Sequence, residues 1–161
     1  MEQLVRKVLG YLFPIALTVR RMYRQVRRPI NIGVRVIVAD NGQVLLVRHH
    51  GQTAWLLPGG LAGRGESLRA AAIREVREES GCTVVAERLL GMYSSLHEGM
   101  TLHTAVFVCR PLTASQAQLN IETADARFWP IDALPPTEGQ VPERLAEYLA
   151  GAQGLDRGFE A

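Results

Sequence analysis

Residues 60–82 read GLAGRGESLRAAAIREVREESGC. Strong helix formers fill Leu68 to Ser80. Ser67 is placed to cap the start, and Gly81 suits the left-handed position that ends a helix. Leu68, Ala72, Val76 and Ile73 recur at helical spacing and predict the buried stripe. Glu75, Glu78 and Glu79 stand at i, i+3 and i+4, which predicts a shared acidic face about one turn long.

Such a face is costly. Two carboxylates about 5–6 Å apart repel by roughly 3 kcal/mol at an effective dielectric of about 20. Arg74 and Arg77 offset part of this, Arg74 from one turn before Glu78. A hard divalent cation offsets more, and magnesium favours carboxylate and carbonyl oxygens shared with substrate phosphates. Ahead of the helix, Leu57-Pro58-Gly59-Gly60-Leu61-Ala62-Gly63-Arg64-Gly65 holds four glycines in nine residues and follows a strand-like Trp55-Leu56-Leu57. Its glycines let the backbone come close to a ligand and aim carbonyls or amides at it. The Gly-Lys-Ser/Thr ending of a Walker-type phosphate loop is missing.

The pattern Gly60-x5-Glu66-x7-Arg74-Glu75-Val76-x-Glu78-Glu79-x-Gly81 resembles the Nudix box, the signature of the Nudix (MutT-like) hydrolase family. Its last position, bulky and aliphatic in the family, holds Cys82, a small hydrophobe. The resemblance implies an α+β fold, an α/β/α sandwich around a mixed sheet. It also implies hydrolysis, with magnesium or manganese, of a nucleoside diphosphate linked to another group X. Carried over to this chain, Glu78 and Glu79 bind the metal, with the Gly59 carbonyl as a further ligand. Glu75 binds metal or serves as general base, Arg74 orients Glu75, and Glu66 is an auxiliary residue. In several members one more carboxylate comes from a loop before a late strand, and Glu122 is the first candidate, ahead of Asp125 and Glu98. Short motifs that mark ADP-ribose, dinucleoside polyphosphate, NADH and coenzyme A hydrolases are not evident downstream of the box.

A chain of 161 residues fits one domain. Cys82 and Cys109 have no metal-ligand spacing and suggest buried thiols in a reducing cytoplasm. The net charge of +2 hides an asymmetry, since residues 1–28 carry seven basic residues against Glu2 alone. That segment is expected to form a basic amphipathic helix interrupted at Pro14, packed on the domain or on a second copy in a homodimer. A membrane-surface contact and an RNA or substrate contact are its alternative roles. Its apolar stretch Val8–Val19 is too short to cross a bilayer.

Residues 29–150 are expected to form the hydrolase domain, and 151–161 a loose tail. Within the domain, Ile30–Ala39 and Gln43–His49 predict strands joined at Asp40-Asn41-Gly42. Thr83–Ser94 (bent at Gly91), Thr101–Arg110 and Ala126–Ile131 predict further strands, and Pro142–Leu149 a closing helix. Arg48 could grip a phosphate, Trp55 could stack on a base or pack in the core, and His97 could line the cleft. His49, His50 and His103 are weaker candidates. Two other functions compete with small-nucleotide hydrolysis: an RNA 5′-end pyrophosphohydrolase recruiting its substrate with the basic arm, and a non-catalytic nucleotide-binding or membrane-associated module.

Overall fold

The computed structural model of the protein describes residues 30–97, 100–112 and 122–158. The N-terminal segment 1–28 and Glu98 lie outside these residues, as does the side chain of His97.

Strands β1 (Asn31–Asp40) and β2 (Gln43–His49) form the expected hairpin. Its two-residue loop puts Asn41 and Gly42 at φ 47° and 76°, the positive values that such a turn requires. Helix α1 (Leu68–Ser80) follows, then β3 (Val84–His97), β4 (Met100–Pro111), β5 (Thr123–Pro130), helix α2 (Val141–Leu149) and β6 (Leu155–Arg157). The six strands make one mixed sheet in the order β5-β2-β1-β4-β3-β6. β1 runs parallel to β4 and β3 parallel to β6, while the other neighbours are antiparallel.

Strand periodicity sends alternate residues to opposite faces. Val34, Val36 and Val38 pack with Ala72 and Val76 of α1, while Ile37 packs with Val141 and Leu145 of α2. Two apolar layers therefore sandwich the sheet between the helices. Ser67 Oγ accepts from the Ala70 amide at the start of α1, and Gly81, at φ 69°, ends it.

Three expectations change. The residues from Gly151 onward are not a loose tail throughout: Leu155–Arg157 adds an edge strand, with Gly91, Met92 and Tyr93 facing Leu155, Asp156 and Arg157. A three-residue strand is too short to leave a period in the sequence, and its partner supplies the hydrogen bonds. β5 begins at Thr123, so Asp125 lies within a strand and not in the loop before it. Trp55-Leu56 makes only isolated bridges, Leu56 with Val47 of β2 and Trp55 with Thr137.

β1 and β2 pair at only two registers, beside the turn. The glycine-rich loop enters the fork between them. Amides of Val34 and Val36 donate to the carbonyls of Gly60 and Pro58, and the Ala62 amide donates to Ile32. The backbone that precedes α1 is thus tied to the central strand.

Candidate functional site

Two glycines make the fork passable. Gly59 has φ 149°, and a Cβ there would sit 2.1 Å from the Val34 carbonyl oxygen. A Cβ on Gly60 would sit 2.6 Å from Glu75 Oε1. Only bare backbone fits between β1 and the acidic helix.

The acidic residues are divided, not gathered on one face. Glu79 is only 6% exposed, and its Oε2 accepts from the Gly59 amide at 2.8 Å. Burial pushes its carboxyl up to about 7. The Gly59 amide and the Arg35 guanidinium oppose that rise, while the charges of Glu75 and Glu122 add to it. The solvent side belongs to Arg74. Its Nη1 donates to Glu75 Oε1 at 2.8 Å and to Glu78 Oε2 at 2.9 Å. Its Nε and Nη2 grip both oxygens of Glu66 at 2.8 and 3.0 Å, and Nη2 also donates to the Leu61 carbonyl. Glu66 in turn accepts from the Gly63 amide at 2.7 Å. The hydrogen bond from Arg74, with that amide, holds the Glu66 carboxyl down at about 2. Arg74 therefore bonds to Glu75 and Glu78 on the helix and staples the loop to the helix through Glu66.

Arg35 was missed in the sequence. It comes from β1, lies half-buried, and its Nη1 donates to the carbonyls of Leu57 and Gly59 at 3.2 and 3.0 Å. An arginine amid Val34, Val36 and Ile37 was the available signal, since a charge inside an apolar strand needs a partner. The Gly59 carbonyl, expected as a metal ligand, accepts from this guanidinium. His49, a weak candidate, places Nε2 3.7 Å from Glu79 Oε1.

Among the candidates for the extra carboxylate, the charge of Glu122 reaches Glu79, and the Glu122 carbonyl accepts from the His50 amide. Asp125 is instead paired with Arg127 and stands 3.7 Å from Arg48. Arg48 also donates to the Gln52 carbonyl and lies 5.6 Å from the Trp55 ring centre. Trp55 is 7% exposed and meets Trp129 edge-on at 5.2 Å, so it packs in the core and presents no face to a base. His103 bonds to Ser94 through Nδ1, at 2.9 Å. His97 ends β3 opposite Met100.

Oxygen donors alone suit a hard divalent cation. A buried carboxylate with two more acids in range is the environment such a charge relieves. Among the described residues, however, no three acidic, histidine or cysteine side chains stand close enough together to hold an ion as they are. Arg74 is what Glu75 and Glu78 point at.

The family model for the NUDIX domain matches residues 28–149. A Bacillus subtilis (strain 168) protein named as a candidate ADP-ribose pyrophosphatase is 36% identical over 107 residues, which is 64% of this chain and 51% of that one. The chain thus spans about half the length of that relative. A MutT-like protein of Streptomyces ambofaciens is 32% identical over 115 residues, covering 71% of this chain and 68% of its own. The crystal structure of a UDP-X diphosphatase superposes with a TM-score of 0.69 at 24% identity, covering 97% of this chain and 83% of that one, a likeness of fold.

Proposed function

The chain belongs to the Nudix hydrolase family, and from that premise we propose that it is a divalent-cation-dependent pyrophosphohydrolase acting on a nucleotide or nucleoside-diphosphate derivative. The observation that carries the reading is Glu79, a carboxylate buried to 6% exposure on the amide of Gly59 with Glu75 and Glu122 within electrostatic reach. A protein that only bound a nucleotide would be more stable with a neutral side chain there.

Glu78, Glu79, Glu75 and Glu122 are the residues that would hold the cation, magnesium or manganese. When bound, it neutralises the diphosphate and lowers the pKa of the attacking water. Arg74 fixes the carboxylate of Glu75 at the mouth of the glycine loop, where Glu75 either shares the ion or accepts the water's proton. The fork holds Gly59 and Gly60 against β1, so the loop is set before substrate arrives, and positioning supplies most of the rate. No nucleophilic side chain is required. Water attacks one phosphorus, and a nucleoside monophosphate leaves with a phosphorylated remainder, or with pyrophosphate when the substrate is a triphosphate.

The relatives' names make ADP-ribose the first substrate to test, followed by nucleoside triphosphates, sugar nucleotides, dinucleoside polyphosphates and 5′-triphosphate RNA. The native chain with magnesium should convert at least one of them. Glu78→Gln removes several kcal/mol of charge stabilisation, so turnover should fall about 100-fold or more. Full turnover in both Glu78→Gln and Glu79→Gln would refute the site. The RNA alternative draws on residues 1–28, outside the described residues. Among the described residues no helix is long and apolar enough to cross a membrane.

A further inference from the structure

On the face of the sheet that carries α2 lies a cavity of about 270 Å³. Leu57, Leu102 and Val106 give it an apolar surface. The charged residues lining it are Arg35, Arg144 and Arg157, and among the described residues no Asp or Glu lines it. Arg35 also reaches the carbonyl of Gly59, whose amide holds Glu79, so the cavity adjoins the carboxylate site through one side chain.

Arg35 faces the charges of Glu79 and Glu75, but at the α2 end of the cavity the positive charge is undercompensated. Arg144 is buried, stacks on Tyr93 at 3.6 Å, and donates to Glu147 and Gln140. Arg157 stands 3.5 Å from the same Glu147, whose Oε2 also accepts from the Tyr93 hydroxyl. One carboxylate therefore serves two guanidiniums and a phenol. Arg157 is the accessible member, with its side chain 50% exposed. Gly139 and Gln140 place the start of α2 at the rim of the cavity.

We propose that this cavity receives the group X beyond the scissile diphosphate and selects for negative charge on it, with Arg157 of the C-terminal strand as the specificity residue. The proposal rests on the pyrophosphohydrolase reading above. It turns the segment expected to be loose into part of the substrate site.

UDP-glucose and UDP-glucuronate test it, because they share a nucleoside diphosphate and differ by a hydroxymethyl against a carboxylate. Dissociation constants are measured by calorimetry on the full chain in EDTA, and kcat/KM with magnesium. A charge-assisted contact predicts about tenfold or greater preference for the glucuronate, expressed in KM more than kcat. Arg157→Gln should bring the ratio to within about twofold, and Arg157→Lys should restore most of it, with both variants melting like the native chain. A native ratio near one, a preference for the neutral sugar, no measurable binding of the glucuronate, or a ratio unmoved by Arg157→Gln would each overturn the proposal. Preferential binding without turnover would count against the hydrolase reading alone.

Discussion

Replacing Glu79 by glutamine should stabilise this protein while disabling it. The side chain is buried, and its carboxyl rises from 4.5 to about 7. The sign follows from proton binding. Between these values the folded chain keeps a proton that the unfolded chain has released, so stability falls as pH rises from about 4.5 to about 7 and stays low above that. At 1.36 kcal/mol per unit, the raised proton affinity costs the fold about 3 kcal/mol at pH 8 and about 1 kcal/mol at pH 5. Glutamine keeps an oxygen for the Gly59 amide and carries no charge.

The assay is urea unfolding of native and Glu79→Gln chains in EDTA, at pH 8 and pH 5. With a slope of about 2 kcal/mol per molar, the variant's midpoint advantage should be about 1 M larger at pH 8 than at pH 5. Divalent cation should then raise the native midpoint and leave the variant's nearly fixed. An advantage independent of pH, or a variant less stable at pH 8, would show that Glu79 is already compensated in the metal-free fold.

Arg74→Lys should lose the two-point grip on Glu66, leave the melting temperature within a few degrees, and lower kcat/KM about 10–100-fold, the range for residues that orient ligands; unchanged kinetics would count against orientation. Glu147→Gln should be the most destabilising of these changes, by about 3 kcal/mol in urea unfolding, because it leaves the buried Arg144 without its carboxylate. Burial would raise the Glu147 carboxyl, but hydrogen bonds from Tyr93 and Arg144 and the charges of Arg144 and Arg157 hold it below its ordinary value. Its contribution should therefore be full above about pH 4.5 and disappear on acidification below that. Ending the chain after Gly151 should lower the melting temperature, because β6 and the contact of Arg88 with the Ala152 carbonyl are lost; scanning calorimetry decides it.

The parts of the fold legible in the sequence are those whose cause is local. Ser67 and Gly81 bracket α1 through their own hydrogen-bonding and conformational preferences, and Asn41-Gly42 fixes the first hairpin in the same way. The early start of β5 and the existence of β6 are set by partners far along the chain. Thr123 to Asp125 are strand because His49 and Arg48 of β2 face them. The strand around Arg35 signals that its charge needs a partner, but not which one, since its acceptors, Leu57 and Gly59, are brought to it by the fork.

Glu79 is different, because its burial could have been read. Leu68, Ala72 and Val76 advance by four along the helix, and Glu79, three further on, takes the next place in that stripe. Glu78 falls beside it on the open side, 48% exposed. The spacing that suggested one shared acidic face places Glu79 on the Gly59 amide, Glu75 against Gly60 and in the grip of Arg74, and Glu78 on the open side with Arg74. That division explains how the helix tolerates its charge. Glu66, Glu75 and Glu78 are met by a guanidinium, and Glu79 is met by an amide and by a raised affinity for its own proton. A divalent cation would displace that proton. Binding of the ion should therefore release close to one proton per chain at about pH 6, about half a proton at pH 7, and progressively less above that. Calorimetry in buffers of different ionisation enthalpy counts it, and release that does not fall with pH would locate the ion away from Glu79.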